Sequence, residues 1–189
     1  MSPKYDTQRR VSGATARRFR AATVLVLVML AATLGSALVG GQAGEELGWR
    51  GFALPRLATR FGLRTASFLL GVLWAGWHLP LFFILGGDTV GQSFPLYVLQ
   101  VTALSVAFAW LYARTRGSLL LTMLLHAAVN NTKDIVPSAV PGATQPWALS
   151  TSPVAWLTVA LLWGTAAFFL ADLRKAALPP PDAGRTAAA

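Results

Sequence analysis

Five predominantly apolar stretches of about 20 residues constrain this chain more than any other feature. They cover residues 21–42, 65–86, 95–113, 117–135 and 152–172, and about 20 such residues span the hydrocarbon core of a bilayer as an α-helix. The 189 residues, 54% of them hydrophobic, fit one domain. We therefore predict an all-α fold, a polytopic transmembrane helical bundle in the lipid bilayer, and not a soluble domain.

The basic residues indicate how this bundle is oriented. Six of the sixteen lysines and arginines lie in residues 1–20, and most others flank apolar blocks, a distribution typical of cytoplasmic segments. Five crossings would leave Arg174 and Lys175 outside. If the amphipathic segment 44–64 also crosses, about six crossings place both termini and every basic cluster on the cytoplasmic face of the cell membrane. The net charge of +9 then reflects topology, and we expect no nucleic-acid partner.

The predicted organisation has three parts. Residues 1–20 form a disordered, basic cytoplasmic arm, residues 21–173 form the transmembrane domain, and the Ala/Pro-rich residues 174–189 form a disordered tail. Within the domain, Pro55 predicts a kink or break in segment 44–64. The chain contains no cysteine, which excludes disulfides, thiolate metal sites and a cysteine nucleophile.

Segment 44–64 opens with two adjacent acids and an arginine directly after a long apolar run. A charge at the centre of a membrane helix costs about 2.5–3.5 kcal/mol on insertion scales, so this cluster needs a compensating reason. Glu46 and Arg50 are spaced i, i+4, with the acid first, which favours an ion pair. Glu45 points about 100° away, is left without a cation and is the candidate general base. The alternative is a structural ion pair, which explains Glu46 and Arg50 but not the extra acid.

Three further polar groups interrupt the apolar spans. At about 1.5 Å per residue, Glu45, His78, His126 and Asn130 all lie about 14–22 Å from the cytoplasmic side, in one middle layer of the membrane. His126 and Asn130, spaced i, i+4, can both donate to an oxyanion. The alternative for each histidine and for Asn130 is a hydrogen bond between helices. No serine, threonine or lysine has a neighbouring base, so water is the expected nucleophile. Zinc is the closest rival, but His-Glu-x-x-His is absent, and we expect no metal and no other cofactor.

These residues resemble the CPBP family, also called the Abi or CAAX-protease-like family, which includes the type II CAAX prenyl endopeptidases (Rce1 enzymes) and bacteriocin-processing or immunity relatives. Its Glu-Glu-x-x-x-Arg motif is matched at Glu45–Arg50, and its His-x-x-x-Asn motif at His126 and Asn130. Its Phe-x-x-x-His motif is matched at His78, with Trp74 where phenylalanine is usual. The resemblance covers roughly residues 40–132, and family members commonly have more spans before the first motif than this chain.

The resemblance implies an intramembrane glutamic-type endopeptidase that acts on a peptide or protein substrate. In that family, the residues that correspond to Glu45 and His78 activate water, and those that correspond to His126 and Asn130 stabilise the oxyanion. Glu46 and Arg50 would then support the site. The alternative is a non-catalytic immunity or scaffold protein that keeps the same polar core for packing.

Overall fold

The computed structural model of the chain describes residues 3–39, 41–84, 89–133 and 145–175. Regular structure within these ranges is entirely helical, which confirms the predicted fold class. The α-helices are α1 (Pro3–Val39), α2 (Gln42–Glu46), α3 (Leu54–Phe61), α4 (Leu63–Trp77), α5 (Phe94–Arg114), α6 (Leu119–Lys133) and α7 (Pro153–Asp172). A π-helical turn, Leu47–Ala53, joins α2 to α3, and two 3₁₀ helices follow α4 and α7 (Leu79–Phe83 and Leu173–Lys175).

Among the described residues, four helical segments are long and apolar enough to cross a membrane. They are Arg17–Gly35, Leu63–Phe83, Phe94–Arg114 and Pro153–Asp172, and they correspond to four of the five predicted apolar spans. The fifth, α6, is a shorter apolar helix. Segment 44–64 is helical but is not among the four, so its crossing and the count of about six stay predictions.

The disorder predicted at the two ends of the chain can be compared with the structure only where those residues are described. Helix α1 begins at Pro3, so the structure has a helix where disorder was expected, and the assignment of residues 1–20 as a separate arm stays a prediction. The physical reason is that a nucleated helix extends cheaply through good helix formers such as alanine and arginine. At the other end, Leu173–Lys175 form a 3₁₀ turn, and the remainder of the predicted tail lies outside the described residues.

Segment 42–61 remains helical throughout. The N–H of Leu54 donates to the carbonyl oxygen of Trp49, five residues back, and Ala53 and Leu54 both keep right-handed helical dihedrals. Pro55 follows at the second position of α3, and because the helix runs into α3 without a gap, its missing N–H leaves one helix hydrogen bond unmade. The predicted break at Pro55 is therefore replaced by a π-helical turn just before it, and such turns are frequent at functional sites.

The buried core lies between α4 and α5, with α3 and α7 packed around it. The two central helices approach closely because Gly71 has no side chain, since a Cβ there would lie 2.6 Å from the Cα of Thr102. Leu70, Val106 and Phe108 fill the interior and are almost completely buried. Helix α1 contacts α6, where the Asn131 side-chain amide donates to the Thr33 hydroxyl at 3.3 Å. This packing places α2, the end of α4 and α6 around one polar centre.

Candidate active site

The first component is a fully buried ion pair. Arg50 Nη1 donates to Glu46 Oε1 at 2.7 Å, and both side chains are 0% exposed. The guanidinium carbon of Arg50 lies 4.5 Å from the centre of the Trp74 ring and 4.2 Å from that of Phe108. The i, i+4 pairing predicted from the sequence is therefore present, and two aromatic faces add cation–π attraction.

Glu45 has quite different partners. Its Oε2 accepts hydrogen bonds from two indole N–H groups, Trp74 Nε1 at 2.9 Å and Trp49 Nε1 at 3.3 Å. The side chain is half-buried, and no basic side chain forms an ion pair with it within the described ranges. This carboxyl group is thus oriented by uncharged donors.

His78 follows the last residue of α4 and precedes the 3₁₀ turn that contains Pro80. Its Nδ1 lies 2.9 Å from the carbonyl oxygen of Trp74. A carbonyl oxygen only accepts, so Nδ1 carries the proton in this contact, and Nε2 of the neutral ring has a free lone pair. The contact with the Trp74 carbonyl thus leaves Nε2 of His78 as a proton acceptor.

His126, on α6, is buried, and its Nδ1 lies 2.9 Å from Glu46 Oε1. Glu46, paired with Arg50, is a carboxylate and accepts, so Nδ1 of His126 is the donor. The ring also packs edge-on against Trp74 at 5.2 Å between ring centres. The acid that contacts a histidine directly is therefore Glu46, which the sequence indicated only as support.

A cavity of about 210 Å³ is lined by three of the six predicted site residues. His78, His126 and Asn130 line it, whereas Glu45 does not. Glu45 accepts a hydrogen bond from Trp74, a lining residue, and among the described residues no hydrogen bond joins Glu45 to either imidazole. The catalytic roles that the sequence suggested stay predictions. The remaining lining residues are Trp74, Leu81, Thr89, Gln92, Tyr97, Gln100, Val101, Leu104 and Val129.

Sequence reasoning missed the polar wall of this cavity. Thr89 and Gln92 precede α5, while Tyr97 and Gln100 lie on it. Residues three apart share a helix face, so the Tyr97–Gln100 spacing within an apolar helix was a usable signal. In the part of the chain that the structure describes, no group of three or more His, Cys, Asp or Glu side chains could hold a metal ion.

Comparison with known proteins matches these motifs to a family. A family model described as type II CAAX prenyl endopeptidase Rce1-like matches residues 21–132. The protein named CAAX prenyl protease 2 from Methanococcus maripaludis is 31% identical over 119 residues, which are 60% of this chain and 40% of that protein. This chain therefore spans less than half the length of that relative. No solved structure matches it.

Proposed function

Since this chain belongs to the Rce1-like family of type II CAAX prenyl endopeptidases, we propose that it is an intramembrane endopeptidase that hydrolyses a peptide bond with activated water. The observation that carries the proposal is the cavity lined by His78, His126 and Asn130. Trp74, in its wall, holds Glu45 through the indole N–H. His78, His126 and Asn130 thus face one cavity, and Glu45 is joined to its wall by the hydrogen bond from Trp74.

Glu45 and His78 activate the water. The Nδ1–H of His78 is committed to the Trp74 carbonyl, so Nε2 can accept the proton that water loses as its oxygen attacks the carbonyl carbon. The Glu45 carboxylate, which accepts from the indole N–H of the same tryptophan, adds negative charge that stabilises the protonated base. The proton then passes to the leaving amine when the C–N bond breaks.

Asn130 and His126 stabilise the oxyanion formed by that attack. The side-chain amide of Asn130 donates in any protonation state. His126 already donates Nδ1–H to Glu46, so its Nε2 donates only when the ring is an imidazolium. One such donor is worth about 2.7–4 kcal/mol of transition-state stabilisation.

The substrate is a peptide or protein that reaches this cavity from the bilayer. The lining combines uncharged polar residues (Thr89, Gln92, Gln100) with aliphatic ones such as Leu104 and Val129, which suits an extended, uncharged peptide segment. The named relative makes a prenylated CAAX peptide the first substrate to try. The site opens toward the cytoplasmic face of the cell membrane, and both termini lie on that face, as the basic residues indicate.

Comparison of protein termini in cells tests the proposal. Membrane-protein N-termini are compared by mass spectrometry in cells that carry wild type, Glu45→Gln or Asp172→Asn. Asp172 binds Trp110 and Arg114 away from the cavity, so its variant makes the same acid-to-amide change elsewhere. We expect a new terminus with wild type and Asp172→Asn but not with Glu45→Gln. If all three proteins accumulate equally and no terminus depends on Glu45, the hydrolytic proposal is wrong.

A non-catalytic immunity or scaffold protein is the second candidate. It is favoured by the buried contact of Glu46 with both Arg50 and His126, which joins α2 to α6 and needs no chemistry. On this reading, Glu45→Gln leaves the cellular phenotype intact, whereas Glu46→Gln or Arg50→Ala destroys folding. A metalloprotease is a third reading, and tightly bound stoichiometric zinc in the purified protein would be its evidence.

A further inference from the structure

Trp74 contacts four groups of the proposed site, Glu45, His78, His126 and Arg50. Its indole N–H donates to Glu45 at 2.9 Å, from a position 29 residues further along the chain. Its backbone carbonyl accepts from His78 at 2.9 Å. Its ring packs edge-on against His126 and lies under the guanidinium of Arg50. With 4% of its surface exposed, Trp74 has little freedom to move away from these partners.

The two adjacent acids are held by opposite means. Glu46 binds a guanidinium, which cancels most of its charge. Glu45 binds two neutral indole N–H groups, which orient a carboxylate without supplying a positive charge. Both indoles donate to Oε2, and Oε1 accepts no hydrogen bond from the described residues. The two indoles therefore orient one oxygen of the Glu45 carboxylate.

We propose that Trp74, which lines the cavity, is a positioning residue that holds the Glu45 carboxylate through its indole N–H. Phenylalanine keeps an aromatic face for Arg50 and His126 but has no N–H donor. Trp49, at 3.3 Å on the same oxygen, is the weaker second donor of this indole clamp. The proposal rests on the proposed function, because Glu45 needs exact placement only if it acts on water.

Trp74→Phe removes the donor and keeps the ring face. Trp156→Phe is the matched control. Trp156 lies on α7, outside the cavity, and its indole N–H donates to the Ser150 carbonyl at 2.9 Å, a hydrogen bond that the variant removes. Turnover is measured on full-length protein in nanodiscs, with a quenched fluorogenic peptide that spans the cleavage site found by the terminus comparison. We expect kcat to fall about 10- to 100-fold in Trp74→Phe, with KM changed less than about twofold and Trp156→Phe like wild type.

A spectroscopic measurement makes the contact testable without activity. The infrared difference between wild type and Glu45→Gln isolates the carboxylate stretching bands of Glu45, and the same difference is then taken in the Trp74→Phe and Trp156→Phe backgrounds. We expect the bands to shift only in the Trp74→Phe background, because hydrogen bonding to one oxygen changes their splitting. Should Trp74→Phe fail to fold, 3-benzothienylalanine at position 74 keeps the indole shape with sulfur in place of N–H.

The outcomes separate the two proposals. An inactive wild type with shifted bands overturns the proposed function and leaves the indole–carboxylate contact standing. An active wild type whose Trp74 variant keeps full kcat, or whose Glu45 bands do not move, overturns the positioning role. Equal losses in the Trp74 and Trp156 variants overturn it as well, because the effect would then be general to indole removal.

Discussion

Removal of Arg50 should destabilise this protein more than removal of the acid that it binds. Both side chains of the Glu46–Arg50 pair are 0% exposed, and loss of one partner of a buried pair costs about 3–5 kcal/mol because the other charge is left uncompensated. In Arg50→Met, the Glu46 carboxylate keeps only the hydrogen bond to His126. We therefore expect the free energy of unfolding to fall by about 3–5 kcal/mol.

Glu46→Gln leaves the Arg50 guanidinium without its ion pair, but in a more favourable environment than Arg50→Met leaves for the Glu46 carboxylate. The guanidinium of Arg50 still lies 4.5 and 4.2 Å from the centres of the Trp74 and Phe108 rings, contacts worth about 2 kcal/mol when they are desolvated. The glutamine oxygen can still accept from Arg50 and His126. We therefore expect the free energy of unfolding to fall by about 1–3 kcal/mol, which is the cost of breaking a buried ion pair less the cation–π contribution.

The double variant Glu46→Gln/Arg50→Met leaves no charge behind. Its free energy of unfolding should therefore fall by less than the sum of the two single-variant losses. The difference, which is the coupling energy of the pair, should be at least about 2 kcal/mol. Arg56→Met is the matched control because Arg56 is exposed on α3 and stacks on Phe52; it should stay within about 0.5 kcal/mol of wild type.

Equilibrium unfolding gives these free energies. The full-length protein in detergent micelles is titrated with SDS, and helix content is followed by far-UV circular dichroism. The reasoning is refuted if Arg56→Met loses as much as Arg50→Met, if Glu46→Gln loses more than Arg50→Met, or if the double variant shows simple additivity.

Two further predictions use neighbouring or matched positions. Gly71→Ala should destabilise the protein by about 1–3 kcal/mol in the same titration, because its Cβ would meet the backbone of Thr102 at 2.6 Å. Gly76→Ala is the control, since nothing lies within 4 Å of its Cβ, and it should be neutral or gain up to about 1 kcal/mol. Asn130→Ala should lower kcat about 10²- to 10³-fold without loss of helix content. Asn131→Ala, which loses the hydrogen bond to α1, should keep the wild-type kcat. Equal kcat values for the two variants would contradict the oxyanion role.

Much of the fold was predictable because it follows from composition along single helices. Four of the predicted apolar spans coincide with segments long enough to cross a membrane. The Glu46–Arg50 pair was predictable for the same reason, since i, i+4 spacing within one helix brings the two side chains together whatever surrounds them. The π-helical turn was not, because a proline pattern indicates disruption but not how the neighbouring backbone absorbs it.

The sequence by itself determined that an acid pair, two histidines and an asparagine lie within apolar helices, and that one acid binds Arg50 and the other does not. Tertiary packing decided which acid meets which partner. Glu46 reaches His126 across 80 residues and Glu45 reaches Trp74 across 29. Such contacts depend on how α2 and α4 pack and on where α6 lies against them, and no periodicity within one helix carries that information.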